Sequence, residues 1–222
     1  MQKVCYNLFV SKKGALPMTD RLAELEYLFE DIYPEDEEIE SVINTLPRYF
    51  KAACGETRYA IWCDNWDFVI KIPRYGYCSL DYCEIEMRNY ETAKQYGVER
   101  ICLPIEEYNT NVHGLTLYKQ TRYSLSTCDA FSYKHNYERY LAKRNLPATG
   151  RNSLTRKITD GAYDGCRINE KWMARVLQLY GKKFCRSFEA WTNECRINDL
   201  HNNNTGWLNN KPILLDYAGF FE

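Results

Sequence analysis

Between Thr57 and Thr121 the chain changes its hydrophobic period twice, and that order constrains the fold more than any other feature. "TRYAIWCDNWDFVIKIP" reads as two β-segments joined by a turn at Asp64-Asn65, the second running from Phe68 to Ile72 and stopped by Pro73. Asp81 to Tyr96, "DYCEIEMRNYETAKQY", carries Ile85, Tyr90 and Ala93 at helical spacing and meets Gly97 as a C-cap. Two further strands follow, "ICLPIEEYN" and, after a turn at His113-Gly114, "LTLYKQT". Strand pair, single helix, strand pair predicts a small α+β unit, placed at 48–121.

The flanks differ from this unit. Residues 1–47 form a helical extension: Leu22, Leu25, Leu28 and Ile32 lie on one face, and after Pro34 so do Ile39, Val42, Ile43 and Leu46. The acidic run from Glu35 to Glu40 suits a solvated helix start, where carboxylates meet the positive end of the dipole. Residues 122–222 form a second, mainly helical part. Its first stretch, Arg122 to Lys157, is a basic insertion with eight Lys/Arg against two Asp/Glu. A long helix follows, capped by Asn169, with Trp172, Val176, Tyr180, Phe184, Phe188 and Trp191 on one side and a bend near Gly181. A strand at Gly206 to Leu208, a turn at Asn209-Asn210 and the strand "PILLDY" complete the pattern.

Composition narrows the function classes. A formal charge of -1 argues against general nucleic-acid binding, although the basic insertion is a local exception. No apolar run approaches the ~20 residues of a membrane span. The first twenty residues lack a sustained apolar core, so a cytoplasmic chain without a leader is the expectation. The ten cysteines contain no CxxC pair and read as reduced, small apolar fillers.

Chemistry concentrates in "RINDLHNNNTGWLNNKPILLDYAGFFE". Asp199 and Asn204 are five apart in a loop, and Asp216 ends an apolar strand beyond a hairpin that returns it to the same mouth. Phosphoryl transfer needs such a set: one carboxylate to orient a hydroxyl, and an amide oxygen with a second carboxylate for the hard cation. The alternative for these residues is a polar loop of Asx-turns.

"INDLHNNN" followed by "LLDYAG" resembles the catalytic loop and metal-binding motif of protein-kinase-like phosphotransferases, H-R-D-L-x-x-x-N and D-F-G. The resemblance runs from about Cys54 to Gly219 and implies a two-lobed kinase-like fold, with a small antiparallel-sheet first lobe and a reduced, mainly helical second lobe. It implies Asp199 as the catalytic aspartate, His201 at the transferred phosphate, and Asn204 and Asp216 as metal ligands. "FVIKIP" is similar to the V-A-I-K strand, which makes Lys71 the phosphate-gripping lysine. Glu86 is its expected helix partner, with Glu84 and Glu91 as competitors. The adenine-reading hinge falls at Tyr118 to Thr121, which includes Lys119 and Gln120. ATP and Mg2+ are the implied cofactors, and the acceptor is an unidentified protein or small-molecule hydroxyl.

The pattern departs from the family in three places. G-x-G-x-x-G is absent; Gly55 alone stands at the phosphate-covering turn, with Thr57 or Arg58 as substitutes. Asn198 replaces the arginine before the catalytic aspartate, which removes the usual partner of a phosphorylated activation loop. The sequence stops three residues after Gly219 without A-P-E, the pattern of a minimal, truncated kinase-like domain similar to bacteriophage-encoded ones. Replacement support is expected from the N-terminal helices or from a second copy in a homodimer. Two other outcomes stay open: a pseudokinase-type binding module engaging a host protein, and transfer of AMP on the same fold.

Overall fold

The computed structural model describes residues 18–76, 80–122, 170–197, 200, 204–208 and 211–219. Two helices open it, α1 (Met18–Phe29) and α2 (Asp36–Thr45). Three strands follow, β1 (Phe50–Cys54), β2 (Arg58–Cys63) and β3 (Phe68–Pro73), then helix α3 (Tyr82–Tyr96) and a 3-10 turn at Glu99–Ile101. After β4 (Ile105–Thr110) and β5 (Thr116–Thr121) come the long helix α4 (Glu170–Glu194) and the hairpin β6 (Thr205–Leu208) and β7 (Lys211–Leu214). The architecture is α+β. No helix among the described residues is long and apolar enough to cross a membrane.

The five strands form one antiparallel sheet in the order β1-β2-β3-β5-β4. Because side chains alternate along a strand, the sheet has two separate chemistries. One face carries Phe50, Tyr59, Ile61, Phe68, Ile70, Ile72 and Leu117, packed with Leu25 and Phe29 of α1 and Ile39 of α2. Full burial of each such side chain is worth about 1.5–3 kcal/mol, which holds the two helices on the sheet. Polar contacts add orientation. Tyr49 donates to Glu24 at 2.5 Å, Tyr59 donates to Glu40 at 2.9 Å, and Asn111 donates from the β4–β5 turn to the carbonyls of Phe29 and Ile32 at 2.7 Å each.

Among the described residues, the apolar stripe of the N-terminal helices packs on the sheet, and the loop they were expected to support lies largely outside the described residues. Helix α1 stops at Phe29, so Ile32, read from periodicity as part of its face, lies beyond a turn at Glu30 and Asp31.

The other face of the sheet carries Arg58, Ala60, Lys71, Tyr118 and Gln120, in register across β2, β3 and β5 and turned towards α3. Asp81 caps α3, accepting from the backbone N–H groups of Cys83 (2.8 Å) and Glu84 (3.0 Å), and Gly97 closes it at φ 68°. A second core gathers Ala93 of α3, then Ile101 and Cys102, Trp172, Met173, Val176, Phe188 and Trp191 of α4, Leu214 of β7, and Tyr217 beyond the hairpin. Gly181 interrupts α4 at φ 79°, the bend that the sequence located there. Asn169 and the basic insertion beyond Arg122 lie outside the described residues.

Candidate active site

Lys71 sits in β3 with Ala60 beside it on β2 and Tyr118 on β5, so its stem lies between two strands and its ammonium rises on the α3 side. There Nζ donates to Glu86 Oε2 at 2.8 Å. Glu86 is fully buried, while Glu84 and Glu91 are exposed and pair with Arg88 and Lys94 on the surface of α3. Helical geometry explains the difference: Ile85, Glu86, Asn89 and Ala93 share the buried face, and Glu84 and Glu91 fall off it. A buried carboxylate demands partners. Glu86 has three, since Gln120 Nε2 also donates to its Oε1 at 2.9 Å and Arg58 Nη1 to its Oε2.

Arg58 reaches further. Its Nη2 donates to Oδ2 of Asp216, so one guanidinium joins a carboxylate of α3 to the carboxylate that follows β7. The result is a four-membered set, Lys71 and Arg58 with Glu86 and Asp216, in which the charges balance. Burial alone would push the Asp216 carboxyl up, but Arg58 and then Lys71 outweigh it and hold the group below its ordinary value. Burial likewise disfavours charge on Arg58, and Asp216 and Glu86 overcome it, raising the guanidinium still higher.

Asp216 is brought there by the hairpin. Trp172 Nε1 of α4 donates to the carbonyls of Gly206 (3.1 Å) and Ile213 (3.2 Å), fastening both strands to the helix. Leu103 N–H donates to the Leu214 carbonyl at 3.1 Å, which ties β7 to the segment ahead of β4. Beyond Asp216, the Tyr217 hydroxyl donates to the Leu103 carbonyl at 2.6 Å, and Asn89 Nδ2 of α3 donates to the carbonyls of Tyr217 (2.9 Å) and Ala218 (3.2 Å). Lys71 also points Nζ at the Leu215 carbonyl, 3.4 Å away. Asn204 lies at the foot of the hairpin, its carbonyl accepting from Leu215 N–H at 2.9 Å. Lys71, Glu86 and Asp216 thus converge on one place, with Asn204 one backbone bond from the Leu215–Asp216 segment.

Other expected residues fall elsewhere. Lys119 pairs with Ile70 in the register, so it stands on the face opposite Lys71; its Nζ lies 4.6 Å from the centre of the Phe68 ring. Gln120 faces the site, and its side-chain amide donates to Glu86 and to the Leu103 carbonyl, which makes that side chain a support for the ion pair. Gly55 closes the β1–β2 turn by donating its N–H to the Arg58 carbonyl at 2.8 Å, so that N–H is not presented to a phosphate. The Thr57 carbonyl accepts from Arg74 N–H at 3.0 Å in the same turn. Asp199 and His201 lie outside the described residues.

Three participants carried weak sequence signals. Arg58 shares the face of Lys71 because it is two residues from Ala60, the cross-strand neighbour of Lys71. Asn89 is one turn after Glu86, and Gln120 is two residues after Tyr118, another neighbour of Lys71. Each was marked by being polar at a position whose periodicity pointed inward.

Asp216 is an oxygen donor of the kind a hard cation takes. Asp216 already holds a cationic group on Oδ2, and a third of its side chain (34%) stays accessible. Among the described residues no cluster of three or more His, Cys, Asp or Glu side chains forms a closed metal cage. Magnesium does not need one, since it retains several waters and takes one or two carboxylates.

No protein-family model matches this chain, and no curated protein matches it. Among solved structures, the chain is similar to the choline kinase LicA from Streptococcus pneumoniae, at 17% identity and a TM-score of 0.34, over 83% of this chain and 68% of that one. A likeness of that extent carries no weight for activity or substrate.

Proposed function

We propose that this protein is a kinase-like phosphotransferase that takes its phosphoryl group from a nucleoside triphosphate, ATP in the simplest reading. One observation carries it: a lysine on the inner face of a five-stranded sheet is paired with a buried helix glutamate beside an aspartate that follows a short hairpin. Phosphoryl transfer asks little covalent chemistry of a protein and much positioning of charge, which is what this set supplies.

In this reading Lys71 places the donor phosphates, and Glu86 keeps its ammonium at the cleft. Asn204 and Asp216 are the residues that would hold Mg2+, which when bound neutralises phosphate charge. Asp199, between α4 and β6 in the sequence, orients the acceptor hydroxyl and receives its proton. The acceptor is a hydroxyl of a protein or small molecule.

A second reading, a binding module without turnover, draws on one observation as well: the Asp216 carboxylate is held by Arg58. Calorimetric titration with ATP and Mg2+, on wild type and on Lys71→Met, separates the two. The phosphotransferase reading expects ATP binding that weakens by about tenfold or more in the variant, as for loss of a charge-assisted contact. Absence of binding at millimolar ATP, by a protein whose melting transition is intact, sinks it. Mass spectrometry of products after incubation with ATP then distinguishes a phosphate adduct from an AMP adduct.

A further inference from the structure

We propose that Arg58 is the resident counter-cation of Asp216 and keeps a divalent cation off that carboxylate in the nucleotide-free protein. The geometry sets it apart from a surface ion pair. Arg58 is buried (8% exposed), lies on β2 next to the strand of Lys71, and touches carboxylates that belong to two different elements, α3 and the segment after β7. It reaches Glu86 through one terminal nitrogen and Asp216 through the other. The fork can therefore release Asp216 while remaining anchored on Glu86, a division that a single ammonium could not make.

Charge decides the consequence. With two cations on two carboxylates the cleft is neutral, so a divalent ion approaching Asp216 meets a guanidinium already in place, and repulsion at contact distance inside a protein is strong. A triphosphate reverses the balance by bringing several negative charges. On the phosphotransferase reading, on which this half rests, it draws the Nη2 edge of Arg58 off Asp216 and leaves the carboxylate to the metal that arrives with it. Arg58 then serves as the phosphate donor that the β1–β2 turn lacks, since the Gly55 N–H is closed on the Arg58 carbonyl. Metal alone is rejected, and metal with nucleotide is accepted.

The test is titration of Mn2+ alone, with free ion followed by electron paramagnetic resonance, on wild type, Arg58→Gln, and Arg58→Gln combined with Asp216→Asn. Arg58→Gln binds Mn2+ at least about tenfold more tightly than wild type, and the double variant loses that gain. Equal Mn2+ affinity in wild type and Arg58→Gln, or a gain that survives Asp216→Asn, overturns the proposal. If Arg58→Gln does not fold, Arg58→Lys replaces it, since a single ammonium does not span both carboxylates; the same gain is expected and the same equality is fatal. The ATP titration of wild type and Lys71→Met is independent of this readout. A gain in Mn2+ binding without ATP binding keeps the resident cation and removes the phosphotransferase; ATP binding through Lys71 with unchanged Mn2+ affinity does the reverse.

Discussion

Glu86 is the residue on which the site's charges balance, because Arg58, Lys71 and Gln120 all donate to it and no water-exposed surface is left to it. Replacing it by alanine leaves two buried cations with only Asp216 between them. The expected loss is about 3–5 kcal/mol in urea unfolding, the range for stripping one partner from a buried ion pair. Glu84→Ala on the same helix, where the side chain is exposed, should change stability by no more than about 0.5 kcal/mol. Equal losses would mean that the buried pairing is not a real constraint. Asp216 sets the behaviour in acid. Its carboxyl titrates lower in the folded protein than its ordinary 3.8, so the unfolded chain binds the proton more readily. Its contribution is complete above that ordinary value and is lost as pH falls through the lower, folded one. Wild type should therefore lose more stability than Asp216→Asn between about pH 5 and pH 3, read as the shift of the urea midpoint; parallel curves would contradict the pairing with Arg58. Lys71 and Asp216 were legible as letters because their local sequences resemble known motifs, and Glu86 as one of three helix glutamates. Arg58 was legible only as a stand-in at the glycine-poor turn, since its pairing depends on a carboxylate 158 positions later in the chain.

Among the elements, the hairpin β6–β7 has the least core of its own and depends most on its neighbour. Four residues on each side bury little, and a two-stranded hairpin alone is at best marginal in water. Trp172 offsets this by donating one indole N–H to a carbonyl on each strand. Trp172→Phe keeps most of the apolar volume and removes the donor. The expected cost is about 1–3 kcal/mol, with faster amide hydrogen exchange in β6 and β7 than in β2 and β3. Unchanged exchange in the hairpin would show that packing alone holds it. Helix α3, the strands β2 to β5 and the bend at Gly181 were all readable from period and punctuation, which are local properties. Lys119 shows where such reading stops: its place in a strand followed from sequence order, whereas the face it occupies followed from a register with Ile70 that only sheet pairing sets.

Across the whole molecule the sheet is a partition. One face is apolar and covered by α1 and α2, and the other carries the charged set facing α3 and the hairpin. Removing residues 1–46 uncovers Ile61, Ile70, Ile72 and their neighbours together, a patch too large for a soluble monomer. The truncated protein should bind a hydrophobic dye, self-associate and lose its cooperative melt. A soluble monomer with an intact transition would show that the two helices are an appendage. What the sequence alone determined is the α+β class, most of the helices and strands with β1 excepted, and the residue types of the candidate site, because helix and strand periods, caps and turn residues act over a few neighbours. Only the tertiary structure decided which face each helix covers, which of three glutamates meets Lys71, and that Arg58 closes on Asp216. Those outcomes depend on strand register and on the desolvation of charges brought together from distant parts of the chain, and no local stretch of residues encodes either.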